Sequence, residues 1–209
     1  MKNLIKQFLP PIFINFVYHL IGNNTDANKL FDGKDELFKK YVNDASIYGE
    51  YGSGKSTIYV HNIMNIPIYS VDSNEQYQKS ILKNLNLKKG SKIVAIDIGI
   101  IASNCGEPES YIKREKFVDY FNAIWINPKP DFVLIDGRFR VACFISSYLN
   151  GKPGTVIIVD DYYRKKYHII EELLEPFETN DRQAAFRIPA KKNTYLANEL
   201  LQKFEYVFD

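Results

Sequence analysis

The chain has 209 residues, 45% of them hydrophobic and 25% charged, with 27 Lys and Arg against 25 Asp and Glu. That is the size of one well-buried α/β domain with an appendage, and a net charge of +2 supplies no basic field of the kind nucleic-acid binding demands. Two cysteines, Cys105 and Cys143, with no CxxC pair and no Cys/His cluster, exclude a disulfide scaffold and a zinc module and suit a reducing, cytoplasmic setting; 15 Tyr and 14 Phe argue against disorder.

The first feature along the chain is an apolar run from Ile12 to Ile21, interrupted by Asn15 and His19. It is far short of the roughly 20 apolar residues a spanning helix needs, and no small-residue cleavage site follows it, which argues against a signal peptide. Pro11 suits a first helical turn, and Asn15, His19 and Asn23 recur at spacing four. An amphipathic helix with so few basic residues is better suited to docking on a protein surface than to lying on a membrane, and an exposed one suits a homodimer. Residues 1–44 are therefore expected to form a helical extension, including a second helix at 34–41 with Leu37, Phe38, Tyr41 and Val42 as its apolar face.

From residue 45 to 209 the pattern changes. β-rich runs at 46–51, 67–71, 92–96, 131–135 and 155–159 alternate with helical stretches near 56–64, 74–85, 111–125, 141–148 and 164–174. This is the signature of a doubly wound, mostly parallel sheet with helices on both faces. A hairpin of 177–179 with 184–188 around the turn-prone pair Asn180-Asp181, then a helix at 194–204, closes the domain.

Ligands of doubly wound sheets bind at the carboxyl ends of the strands. The first such end carries Gly49-Glu50-Tyr51-Gly52-Ser53-Gly54-Lys55-Ser56-Thr57, which fits two registers. From Gly49 it reads G-x-x-x-x-G-K-S, the P-loop of ATPases and kinases, with Lys55 on the terminal phosphates, Ser56 on Mg²⁺, and Asp136 or Asp160 as the metal-holding acid. From Glu50 it reads E-x-G-x-G after an apolar strand, the glycines permitting a tight turn and close approach of backbone to ligand. The later strand ends favour the second register. Asp72 tips strand two about 20 residues on, where an acid catches ribose hydroxyls, and a P-loop has no need of it. Asp97-Ile98-Gly99 follows strand three, Asp136-Gly137-Arg138 strand four and Asp160-Asp161 strand five. A single Asp after a strand is usually a cap or turn residue; a series in register with one glycine loop points to a ligand.

On these residues, over roughly 45–189, the chain resembles the class I S-adenosylmethionine-dependent methyltransferases. The resemblance implies a Rossmann-like fold with S-adenosylmethionine as cofactor. It assigns Glu50, Gly52, Ser53 and Gly54 to the methionine end, Asp72 to the ribose, and Asp97 with Ile98 to the adenine. The stretch Asp131-Phe-Val-Leu-Ile-Asp136-Gly-Arg138-Phe-Arg140 resembles the D-x-V-x-V-D-G-R-x-R of bacterial methyltransferase-like proteins linked to polysaccharide and glycoside biosynthesis, whose E-x-G-S-G-x-S-T matches residues 50–57. It implies O-methylation of a saccharide or related small polyol. By similarity to Mg²⁺-dependent sugar and catechol O-methyltransferases, Asp136, Asp160 and Asp161 form a hard oxygen set for Mg²⁺; the competing reading has Asp160 or Asp161 cap the next helix or pair with Arg138, Arg140 or Arg164 as structural ion pairs. Asp136 is the candidate catalytic base. His61 and His168 stand alone on helices, and Cys143 reads as core packing. Lys55 departs from the family, setting an ammonium near a cationic sulfonium. A non-catalytic protein that kept the fold is the remaining alternative.

Overall fold

Seven strands form one sheet: β1 (Tyr48–Tyr51), β2 (Ile68–Asp72), β3 (Lys92–Ala95), β4 (Phe132–Ile135), β5 (Val156–Val159), β6 (Glu178–Thr179) and β7 (Ala184–Arg187). The computed structural model describes residues 29–83, 85–99 and 108–208. The spatial order is β3-β2-β1-β4-β5-β7-β6. β1 to β5 run parallel, whereas β7 is antiparallel to both β5 and β6. Tyr51 pairs with Val71 on one side and Ile135 on the other, so the strand order reverses at β1, and the crevice beyond its carboxyl end is the topological switch point where such folds bind ligands.

Every residue of β1, β2, β4 and β5 is buried. Helices cover both faces of a parallel sheet, so its inner strands read as continuous apolar runs rather than alternating ones. β3, at the edge, alternates exposed and half-buried residues. The helices are α1 (Glu36–Val42), α2 (Lys55–Met64), α3 (Glu75–Leu82), α4 (Glu115–Asn122), α5 (Arg140–Asn150) and α6 (Thr194–Phe204). α1 lies over β4 and β5, burying Leu37, Phe38 and Val42, with the Phe38 ring edge-on to Phe132 at 5.7 Å. α5 is buried from Arg140 through Tyr148, because α4, α6, β4 and β5 all pack against it.

The chain divides into two compact units, Met1–Asp35 and Glu36–Asp209, which places α1 in the second unit rather than in the extension. Of the first unit the described part is a short 3-10 turn, Phe31–Gly33, with the Asp35 carboxylate accepting the Leu30 N–H at 2.9 Å. The helix expected near 12–21 lies outside the described residues.

The inner strands stand within one or two residues of their expected places, and the 177–188 hairpin is present as β6 and β7. The expected helix at 111–125 is shorter: its first residues form i to i+3 turns instead, with Arg114 N–H donating to Tyr111 O, and the Tyr111 ring stacks on Phe208 at 4.6 Å. The segment expected as a helix at 164–174 is a 3-10 helix, Lys165–Glu172, whose buried residues are Tyr167 and Ile170. Their spacing of three suits three residues per turn, not 3.6.

Candidate functional site

β1 ends at Tyr51 and α2 begins at Lys55, so the glycine turn is only Gly52-Ser53-Gly54. Gly52 has φ +92, and a Cβ there would stand 2.9 Å from Asp136 O and Gly137 Cα. Gly137 mirrors this: its Cβ would meet Gly52 N at 2.8 Å as well as the Tyr120 hydroxyl. The turn after β1 and the turn after β4 are thus in backbone contact across the switch point. Above Gly54 there is room, since a Cβ would meet only the Tyr77 hydroxyl, at 3.7 Å.

Glu50 lies under this turn with no exposed surface. Its Oε2 accepts from Tyr48 Oη at 2.8 Å and Ser56 Oγ at 2.9 Å, and its Oε1 from the Thr57 hydroxyl. Burial pushes its pKa up to about 7, against the lowering effect of those hydroxyls. The geometry makes Glu50 the floor of the turn. It also corrects the P-loop register over residues 49–56. Gly49 is inside β1, paired with Tyr69 and Val133, so no loop of the required length exists, and the Ser56 hydroxyl expected on Mg²⁺ is committed to Glu50.

Asp72, at the tip of β2, is bonded to the turn: Oδ2 accepts Ser53 N–H at 2.9 Å and Oδ1 accepts Asn74 N–H at 2.8 Å. Burial raises its pKa. Ser53 Oγ shares a hydrogen bond with Ser70 Oγ at 2.8 Å and accepts from Gln78 Nε2 at 3.0 Å; the same amide donates to Val94 O at 2.9 Å. Gln78 and Tyr77 reach the glycine turn and are candidate site residues that the strand-end reading passed over. Tyr77 reaches the turn from α3, and its hydroxyl is pushed up to about 12, first by burial and then by the charges of Asp72, Asp136 and Glu50. Their signal is positional: Asn74 caps α3 by accepting Tyr77 N–H at 2.9 Å, which sets that helix's first turn beside the β2 tip.

Asp97 follows β3 and is largely exposed. It accepts Gly99 N–H at 3.0 Å and pairs with Lys113, whose hydrogen bond holds its carboxyl below the usual range. Ile98 is fully buried. Gly52, Ser53, Gly54 and Asp72 are therefore in one bonded unit, while Asp97 stands out at the rim.

On the other side of the switch point Asp136, Asp160 and Asp161 converge, one carboxylate oxygen of each lying within 4.8 Å of the others. Each is also held by arginine. Arg140, the first residue of α5, donates from Nη2 to Asp136 Oδ1 at 2.9 Å, from Nη1 to Asp160 O at 2.6 Å and from Nε to Gly137 O at 3.2 Å, and lies 3.5 Å from Asp161 Oδ2. Arg182, from the hairpin turn, grips Asp160 through Nε and Nη2 at 2.8–3.0 Å and reaches Asp161 Oδ1 at 3.2 Å. Arg164 pairs with Asp161 Oδ2 at 3.0 Å, and Gln183 Nε2 donates to Asp160 Oδ1 at 2.9 Å. As they stand, these residues do not fit a divalent cation: both oxygens of Asp160 and of Asp161 are already paired with guanidiniums, and Asp136 keeps only Oδ2 outside such a pair. The buried Gln183 Oε1 has no partner among the described residues, a need that one water meets without adding charge.

Asp136 is the acid with an open side. Its Oδ2 carries no hydrogen bond among the described residues, and a third of the side chain, 33%, is exposed. Burial and the neighbouring Asp160 and Asp161 raise its pKa, opposed by Arg140. The guanidinium of Arg138 makes no hydrogen bond or ion pair among the described residues, yet it is near enough to Asp72 to offset part of that acid's rise. His168 stacks on Tyr162 and bonds its carbonyl, and Cys143 is core.

The strand order with β7 reversed, the glycine turn after β1 and the acid at the tip of β2 define a methyltransferase-like α/β fold. Among solved structures, a methyltransferase-like protein from Silicibacter pomeroyi matches with a TM-score of 0.71 and 28% identity, over 84% of this chain and 95% of its own. A methyltransferase from Pyrococcus furiosus matches more distantly, with a TM-score of 0.43 and 11% identity over 73% of this chain and 80% of its own. So does the MycE methyltransferase of mycinamycin biosynthesis, solved with Mg, S-adenosylhomocysteine and mycinamycin VI, with a TM-score of 0.44 and 14% identity over 74% of this chain and 44% of its own. No family model and no curated protein matches the chain. No helix among the described residues is long and apolar enough to cross a membrane.

Proposed function

We propose that the chain is an S-adenosylmethionine-dependent methyltransferase acting on a hydroxyl oxygen of a saccharide or related polyol. The observation that carries the reading is the bonded unit of Ser53 and Asp72 facing, across the Gly52–Gly137 contact, an Asp136 with one open oxygen. The Silicibacter pomeroyi likeness supports the methyltransferase part, and the 131–140 stretch supports the saccharide part.

The residues present fit the cofactor. The open space above Gly54 admits backbone-close binding, and the Asp72 carboxylate, bonded to backbone N–H groups of Ser53 and Asn74, has four lone pairs in all and so keeps acceptor capacity for ribose hydroxyls. When bound, S-adenosylmethionine supplies an electrophilic methyl group on a sulfonium that leaves as a neutral thioether. Asp136 Oδ2 takes the proton of the acceptor hydroxyl as its oxygen gains the methyl, and a base with a raised pKa suits that task near neutrality. Arg140 fixes the other oxygen of Asp136, so the open one keeps its aim.

Thermal unfolding with S-adenosylhomocysteine and Mg-ATP in parallel tests this. A ligand at 100 times its Kd adds about 2.7 kcal/mol, a rise in Tm of roughly 5–10 °C for a chain of this size. A rise with S-adenosylhomocysteine alone is expected, followed by transfer of labelled methyl to a polyol acceptor. A rise with Mg-ATP alone would overturn the reading.

A further inference from the structure

We infer that Arg140 and Arg182 stand in the electrostatic place of a divalent cation, so that Asp136, Asp160 and Asp161 form a closed ionic clasp between strand ends and chemistry at this site needs no metal. The clasp is independent of the activity; the statement about chemistry rests on the methyltransferase reading.

Three carboxylates face three guanidiniums, those of Arg140, Arg164 and Arg182, so the cluster already holds as many cationic groups as acids. A Mg²⁺ ion demands near-octahedral oxygen at about 2.0–2.1 Å. To reach Asp160, which has no exposed surface, it would have to displace the two-pronged grip of Arg182 and the amide of Gln183. It would then sit beside Arg140, whose side chain is 8% exposed and has nowhere to withdraw. Two more of its donors go to backbone carbonyls, Gly137 O and Asp160 O, so it also brackets the ends of β4 and β5. Two like charges a few ångströms apart repel more strongly in a buried site than in water, and a buried guanidinium parted from its acid keeps the whole desolvation cost.

The backbone is bent to serve the same pairs. Asp161 sits at φ +55, a left-handed conformation that is unfavourable for a non-glycine residue. In that conformation its carboxylate meets Arg164 and Arg182 together. For the acceptor the consequence is specific. Without a cation to chelate, nothing in the clasp requires two adjacent hydroxyls, and a lone hydroxyl presented to Asp136 Oδ2 suffices.

Titration of Mn²⁺ into the full chain, read by the electron paramagnetic resonance signal of the free ion, tests the clasp without cofactor or acceptor. The unmutated chain is expected to leave the free signal at full amplitude, whereas the double variant Arg140→Gln/Arg182→Gln, with its fold checked by circular dichroism, is expected to diminish it, and adding Asp160→Asn to restore it. Loss of free signal with the unmutated chain, relieved by Asp160→Asn, would overturn the inference whether or not the double variant folds. A folded double variant that leaves Mn²⁺ free would also overturn it, because then the two guanidiniums are not what keeps the cation out. Methyl transfer that persists in excess chelator, on a polyol and on its single-hydroxyl analogue, supports the metal-free statement, and transfer abolished by chelator removes it. Absence of transfer under every condition counts against the proposed activity, leaving the Mn²⁺ result to decide the clasp.

Discussion

A carboxyl group enclosed by three hydroxyls, as Glu50 is by Tyr48, Ser56 and Thr57, is still costly to ionise, because hydrogen bonds replace only part of the water it has lost. In the unfolded chain it gives up its proton near pH 4.5, in the folded chain near 7. The folded state therefore holds the extra proton, and the stability this confers is complete at acid pH and lost as the pH rises through about 7, a change of about 3 kcal/mol. Glu50→Gln keeps the shape without the charge. It is expected to be more stable than the parent at about pH 8 and to flatten the fall in Tm between about pH 5 and 8; identical profiles would mean that the folded chain ionises Glu50 as readily as water does. Gly52→Ala adds a methyl group where φ is +92 and Asp136 O is 2.9 Å away, and a loss of about 2–4 kcal/mol in urea unfolding is expected. The letters of this turn were legible in the sequence. The placement of Glu50 beneath the turn was not, because spacing along a strand buried on both faces does not say which side a residue takes.

At the scale of elements, the site is held by contacts between turns and helices that no linear pattern announces. Gln78 joins α3 to the glycine turn through Ser53 and to the edge strand β3 through Val94 O. Gln78→Ala leaves both acceptors short of a donor, and a loss of about 1–2 kcal/mol is expected, with faster hydrogen exchange in β3 and weaker cofactor binding; unchanged exchange there would show that β3 is held by β2 alone. Asp72, Asp136, Asp160 and Asp161 were found as a series because each follows an apolar strand, a rule of topology. Tyr77, Gln78 and Arg182 follow no such rule. They reach the site from a helix turn and a hairpin turn, and only the packing of those elements brings them there. The 3-10 segment 165–172 is a further instance, since its pattern of charged and apolar residues is compatible with either helix and Tyr167 and Ile170 select the tighter one.

Over the whole molecule, the architecture was readable from the alternation of strands and helices, but the insertion of β7 between β5 and β6 was not, since a hairpin's sequence does not say which of its strands meets the sheet. The central pair, β1 with β4, joins residues as distant as Tyr48 and Phe132, and the parallel core closes only when that pair forms. Amide exchange is therefore expected to be slowest in β1 and β4, near the rate of global unfolding, and fastest in β3 and β6 at the two edges; equal protection across all strands would contradict a core that closes from the centre. The same topology divides the site by its place in the chain. Everything proposed to touch the cofactor comes from residues 50–98, and the acids proposed to face the acceptor, with the arginines that pair with them, from 136–183, with the backbone contact of Gly52 and Gly137 as the seam. Each half is a continuous stretch of coding sequence. Descendants of such a chain can reshape the turns of the second stretch, and with them the choice of acceptor, while inheriting the first intact, provided that the buried faces of α5 and β5 and the two glycines at the seam are passed on together.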